Sequence, residues 1–234
     1  MEAADPVPGA LDLHLYGEGR HERLDDALGA HPAARGGREG VRFSVWAPAA
    51  RAVSVAGDFN GWDPRAHPLR SLGPSGVWNG FVPGAGEGAR YKFAIAAADG
   101  ALLWKADPFA ARTLPPPETA SVVHRPSYRF RFQAQRHPEP HRRPMSVYEV
   151  HLGSWRRVPE EGERSLTYRE IAPRLAAYVS DMGFTHVEFL PVMEHPFGGS
   201  WGYQVGGFFA PTARYGSPDD FAFLVDTLHA AGIG

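Results

Sequence analysis

The segment LPVMEHPFGGSWGYQVGGFFAPTARYG, residues 190–216, concentrates side chains suited to a polyhydroxylated ligand. Trp201, Tyr203, Phe208, Phe209 and Tyr215 supply ring faces, while Glu194, His195, Ser200 and Gln204 supply polar tips that match hydroxyl groups. Apolar faces edged with a few polar groups are what a sugar subsite requires. The alternative for Trp201 and Tyr203 is a loop whose aromatics pack against its own scaffold. A metal site is not expected, because Glu194 and His195 are sequence neighbours and no further His or Cys spacing completes a ligand set. The glycines of FGGSWGYQVGG lack the strand-to-helix setting of a phosphate loop, and no Ser, His, Asp arrangement can be read. No cofactor is expected.

Two other groups of residues invite the same question. In VYEVHLGSW, strand alternation sends Tyr148 and Val150 to one side and Glu149 and His151 to the other. Hydrogen-bonded structural groups inside a barrel are the preferred reading for Glu149 and His151, with acid and base the alternative. Nearer the start, Trp62 in NGW, Lys92 in YKF and Trp104 in LLWK are candidates for a surface that stacks on glucose and hydrogen-bonds it. Trp62 reads equally well as a structural turn residue, and Trp46 and Phe59 look like core or inner-turn residues.

These residues must be positioned by two kinds of element. From Val41 the apolar period is two: Val41, Phe43 and Val45, then Val53 and Val55, with further strands at 77–82, 91–95, 102–104 and 120–124. The turn GDFNGWDPR interrupts them with residues that tolerate tight geometry. Such spacing predicts a β-sandwich of about 100 residues. Before it, HPAARGGREG reads as a flexible linker and residues 20–28 as a short helix; after it, PPPET and RHPEPHRRP mark loop and linker.

Beyond Pro144 the pattern becomes strand, helix, strand, helix, the opening of an α/β fold with parallel strands. VYEVHLGSW is the first strand. In SLTYREIAPRLAAYVSDMGF the residues Ile171, Leu175, Tyr178, Val179 and Met182 share a face. Thr167 and Glu170 fit a capping box, Leu166 and Ile171 a hydrophobic staple. Pro173 predicts a kink or a later helix start. THVEFLPV is the second strand, and Ser217, Pro218, Asp219 and Asp220 open a second helix as cap, first residue and dipole partners. The loop of about 24 residues between them sits past the C-terminal end of a strand, where such folds place their binding groups, and exceeds the usual connection.

Composition bounds the partners. With 24 Lys and Arg against 26 Asp and Glu, the net charge of -2 gives no footprint for nucleic acid or anionic lipid. The absence of cysteine rules out a disulfide framework. The opening MEAADPVPGALDLHLYGEGR has no continuous apolar core of secretory length, so a soluble cytoplasmic protein is expected.

Taken together, GDFNGWD, ARYKF, ADPFA, SVYEVHLGSWRR, YREIA, GFTHVEFLPVMEHPFGGSWGYQVGGFFAPTARYGSPDDF and LHAAGIG closely resemble bacterial 1,4-α-glucan branching enzymes of the α-amylase superfamily. The resemblance runs from about Leu11 to Gly234. It implies a multidomain β plus α/β fold: an immunoglobulin-like β-sandwich carbohydrate-binding module followed by an incomplete (β/α)8 barrel, its first two βα units. The implied divisions are a linker at 1–40, the module at 41–135 and the start of the barrel at 136–234. The implied reaction is retaining transfer of an α-1,4 glucan segment to a 6-hydroxyl, an Asp attacking the anomeric carbon and a Glu protonating the leaving oxygen.

Those two carboxylates belong to later barrel strands, so no catalytic residue is expected in this chain. The resemblance implies that Tyr203 stacks at the subsite of the attacked sugar, with Trp201 and Gln204 shaping the pocket, and that Trp62, Lys92 and Trp104 match sugar-binding positions of the module. The expected partner is α-1,4-glucan, with no nucleic acid, membrane or metal. An N-terminal fragment of such an enzyme is expected to be inactive, with apolar faces around Val147, Val187, Phe189 and Leu224 left without partners. Rival readings are a non-catalytic glycan-binding protein and another superfamily member such as a debranching enzyme. Pro173 departs from the pattern of many bacterial relatives, and their additional N-terminal sandwich is missing here or lost upstream.

Overall fold

The computed structural model describes residues 8–132 and 142–234, so most of the linker read in RHPEPHRRP and the expected boundary at 135 lie outside the described residues. The chain divides into two compact units: Met1–Leu114 with Glu118–Arg125 and Gly207–Phe209, and Pro115–Pro117 with Pro126–Gly206 and Ala210–Gly234.

In the first unit, α1 (Ala10–Gly17) and the single turn α2 (Leu24–Ala27) precede an antiparallel hairpin of β1 (Gly29–Arg35) and β2 (Arg38–Trp46). Gly36 and Gly37 form its turn with φ of +59° and +74°. Left-handed backbone at both central residues is the geometry whose twist matches the flanking strands. HPAARGGREG is thus a hairpin and not the expected linker. Pro32 fits because β1 is an edge strand, where a missing N–H costs no ladder bond.

Next come β3 (Ala52–Gly57), β4 (Arg70–Ser71), β5 (Val77–Pro83), β6 (Arg90–Ala96), β7 (Leu102–Lys105) and β8 (Ser121–Val122). They complete two antiparallel sheets, β1-β2-β5-β4 and β3-β6-β7, with β8 also on β6. Val41, Phe43, Val45 and Val82 from one sheet share a core with Val53, Val55, Tyr91 and Phe93 from the other, which makes the pair a sandwich. Each such side chain, fully buried, stabilises by about 1.5–3 kcal/mol. Trp46, expected in the core, is 50% exposed. Alternation along β2 explains this, since Trp46 falls on the face of Arg42 and Ser44, opposite Phe43.

The second unit runs β9 (Val147–Val150), α3 (Leu152–Trp155), the small β10 (Arg157–Val158) and β11 (Arg164–Ser165), α4 (Tyr168–Asp181), β12 (His186–Phe189), β13 (Met193–Glu194), β14 (Gly207–Pro211), which lies partly in each unit, and α5 (Pro218–Ala230). VYEVHLGSW is shorter as a strand than expected: after Val150 the His151 carbonyl accepts from the Ser154 and Trp155 amides and the chain coils. β9 and β12 pair in parallel, Val147 to Val150 against His186 to Phe189. Gly234 lies in parallel register beside β12, donating to the Thr185 carbonyl and accepting from the Val187 amide.

α4 begins at Tyr168 despite Pro173. Thr167 accepts from the Glu170 amide, Glu170 accepts from the Thr167 amide at 2.8 Å, and Arg164 grips both Glu170 oxygens at 2.8 and 2.9 Å. This cap fixes the start, so the later start does not occur. Pro173 and Arg169, whose carbonyl loses its donor, both lie on the exposed face where water replaces the bond. Leu166, Ile171, Leu175, Val179, Leu224 and Leu228 form one buried core with α5 packed on α4. Leu224 is therefore fully covered, and Val187 and Phe189 pack against the same core, contrary to the expectation of unpartnered faces; Val147 remains exposed. Among the described residues no helix is long and apolar enough to cross a membrane.

Candidate functional site

The loop after β12 is built from a buried ionic base and an exposed aromatic tip. At the base, Glu194 is only 7% exposed. It accepts from the His195 amide at 2.9 Å, the Ala213 amide at 2.7 Å, the Thr212 hydroxyl at 3.2 Å and Arg214 Nη1 at 2.6 Å. Arg214 Nη2 also donates to the His195 carbonyl at 2.9 Å. The arms of the loop are tied by amide bonds from Gly206 to the Glu194 carbonyl and from Thr212 to the Val192 carbonyl, 2.8 Å each. Glu194 and His195, read as polar tips for hydroxyls, are instead buried structural groups, because the loop's own amides demand acceptors. Arg214, 20 residues along the chain from Glu194, is a partner that local spacing does not reveal.

Toward the tip, the Ser200 hydroxyl donates to the Phe197 carbonyl at 2.7 Å and accepts from the Gln204 amide at 3.4 Å, so it too serves the loop. Trp201 takes φ +55°, in the left-handed region that costs a non-glycine residue free energy. Gly202 follows at φ +91°, and a Cβ there would stand 2.3 Å from the Pro191 carbonyl oxygen, so only glycine fits. This bend turns the rings outward: Trp201 is 60% and Tyr203 68% exposed, with Gln204 exposed beside them. Tyr215, read with them, is half-buried against Tyr168, ring centroids 5.7 Å apart, and packs structurally. Burial raises the Tyr168 phenol well above its ordinary range, and its hydroxyl donates to the Thr212 carbonyl at 2.8 Å.

On β9 Glu149 is exposed, and just past its end His151 is half-buried. The His151 ring lies 6.3 Å from the Trp201 ring.

In the sandwich the register settles what Lys92 and Trp104 share. Ala94 pairs with Trp104 and Ala56 with Lys92, so Lys92 and Trp104 are diagonal neighbours on the outer face of the β3-β6-β7 sheet. Trp104 is 41% exposed. Lys92 Nζ donates to the Thr119 hydroxyl at 2.6 Å, which leaves two of its three donors for another ligand. Trp62 lies on the turn after β3, at φ +62°, beside Asp58, which pairs with Arg90 two residues before Lys92 on β6. Its Nε1 donates to Asp58 Oδ1 at 3.2 Å, and the Arg90 guanidinium beside Asp58 holds that carboxyl below the usual range. The turn reading and the platform reading of Trp62 are therefore compatible: the nitrogen edge is anchored and the residue remains half exposed.

An aromatic loop past the end of parallel strands, joined in sequence to an antiparallel sandwich, defines the fold class: a β-sandwich module followed by a partial β/α barrel. Residues 27–110 match the carbohydrate-binding module 48 family, the isoamylase N-terminal domain. The chain is 60% identical over 233 residues to the 1,4-alpha-glucan branching enzyme GlgB 1 of Streptomyces coelicolor, covering 98% of this chain and 29% of that protein. It is 57% identical over 238 residues to GlgB of Myxococcus xanthus, covering 98% of this chain and 32% of that protein. The crystal structure of a candidate alpha amylase from Salmonella typhimurium aligns with a TM-score of 0.67 at 27% identity, over 89% of this chain and 32% of that one. The chain thus resembles bacterial branching enzymes along almost all of its length and spans roughly a third or less of theirs.

Proposed function

We propose that this chain is the glucan-holding front of a 1,4-α-glucan branching enzyme, with chain transfer performed by the complete protein. The sandwich, expected at 41–135 and extended by the β1–β2 hairpin, is its glycan module; the residues from 136 onward open its catalytic barrel. The partner is α-1,4-glucan and the compartment the cytoplasm. The observation that carries the reading is the loop past β12, which holds Trp201 and Tyr203 exposed on a buried ionic base.

Tyr203 stacks on the sugar to be attacked, Trp201 and Gln204 shape the pocket around it, and Trp62, Lys92 and Trp104 hold glucan on the module. The Asp and Glu of a retaining transfer are not assigned to any residue of this chain, whose own contribution is binding. The similarity to branching enzymes over 98% of the chain supports this reading. Incubating amylose with a protein that extends these residues to the length of those relatives tests it. Nuclear magnetic resonance should then show new α-1,6 linkages. Release of linear chains without new branches would favour a debranching activity and defeat the proposal.

A further inference from the structure

His151 occupies the position just beyond the C-terminal end of β9, on the strand that pairs with the one feeding the aromatic loop. Its Nδ1 is 3.0 Å from the Ser154 hydroxyl, a contact within the α3 turn that fixes the ring. Among the described residues Nε2 has no hydrogen-bond partner, and it is not one of the buried polar atoms left without one, so it opens to solvent. Gly153 permits this placement. A Cβ at that position would come 3.0 Å from His151 Cε1 and 2.3 Å from the Tyr215 hydroxyl, and no side chain fits between them.

The Trp201 ring lies 6.3 Å from the imidazole at an interplanar angle of 51°. A tryptophan in left-handed backbone that is 60% exposed is held outward at a cost, and such strain is retained where the surroundings or a ligand use the result. A pyranose presents an apolar C–H face ringed by hydroxyls. An exposed indole takes the face; a nitrogen at its edge takes a hydroxyl. Burial, with the charges of His195 and Arg157 close by, disfavours protonation of His151, and a neutral imidazole donates or accepts at Nε2 according to the tautomer the Ser154 contact selects.

We infer that His151 is a further glucan-binding residue, its Nε2 hydrogen-bonding a hydroxyl of the glucose that stacks on Trp201. This rests on the reading that the loop past β12 holds α-glucan, and the variants are chosen to separate the two. The probe is maltoheptaose, titrated into the chain with its histidines labelled with 15N.

The His151 Nε2 resonance should move on saturation, which packing alone would not cause. His151→Ala should weaken binding about 3- to 10-fold, the loss of one net hydrogen bond. His151→Gln, which keeps a polar tip, should bind within about twofold of the parent. If Trp201→Ala reduces binding while His151→Ala leaves affinity and the Trp201 response unchanged, the inference fails and the loop reading stands. If the parent chain shows no response to maltoheptaose, the loop reading fails and takes the inference with it.

Discussion

Asp107 shows how one side chain ties stability to pH in the sandwich. It is buried, accepts from the Tyr91 hydroxyl at 2.6 Å and the Phe109 amide at 2.8 Å, and its own amide donates to the Ser121 hydroxyl. Burial pushes its carboxyl up to about 6, the two accepted hydrogen bonds offsetting only part of that cost. A folded-state value above the unfolded one means that the folded protein binds the proton more tightly. The stabilisation from protonation is complete below about pH 4 and is lost as pH rises through about 6. The rise from the ordinary carboxylate value to about 6 corresponds to about 3 kcal/mol. Urea unfolding at pH 4.5 and pH 7.5 should show Asp107→Asn losing most of this slope; an unchanged slope would place the ionisation elsewhere. The sequence offered ADPFA as a motif without this role, because an aspartate between Ala and Pro looks like turn chemistry until Tyr91 and Ser121 are brought to it by the sheet.

At the scale of elements, two carboxylate clusters hold irregular segments in place. The pair of Glu194 and Arg214 is mostly buried, so Arg214→Met, which removes the guanidinium facing the carboxylate, should cost about 3–5 kcal/mol in chemical denaturation. A double variant that also replaces Glu194 with Leu should recover part of it. On α5, Asp226 is fully enclosed and accepts from the Tyr128 hydroxyl at 2.7 Å and the Phe132 amide at 2.9 Å, with Asp219 gripping the Ser127 amide and hydroxyl. Burial works to raise the Asp226 carboxyl, but these hydrogen bonds outweigh it and hold it low. Asp226→Asn should loosen residues 126–132, and trypsin should cut at Arg129 or Arg131 much faster than in the parent. Equal cleavage would show that Asp226 is not the clamp.

Helix starts were legible in the sequence because caps are local: Thr167 with Glu170, and Ser217 with Asp220, form where their types and spacing placed them. The roles of Glu194 and Asp226 were not, since their partners lie up to 20 and 98 residues away.

For the whole molecule, period-two and period-3.6 patterning gave both halves of the architecture, and the loop length pointed to the aromatic tip. What patterning missed was composition-driven: Gly, Ala, Arg and His in residues 31–40 look like linker, yet 31–35 belong to β1 and 38–40 to β2, which pair in register from Gly29 to Arg35. The same limit applies to the two proposed glucan surfaces. Ring types are visible in the sequence, but that Trp201 and Tyr203 face outward while Tyr215 faces inward depends on the left-handed backbone at Trp201 and Gly202. Tyr203 is exposed enough that Tyr203→Ala should shift the melting temperature little, since surface substitutions usually change stability within about 0.5 kcal/mol.

The most direct test of the central claim is saturation-transfer NMR of maltoheptaose with this chain and with its Tyr203→Ala and Trp201→Ala variants at matched folding. The account predicts transfer to the glucose protons with the parent chain and its clear reduction in both variants. Transfer that is absent with the parent, or undiminished in both variants, would contradict it.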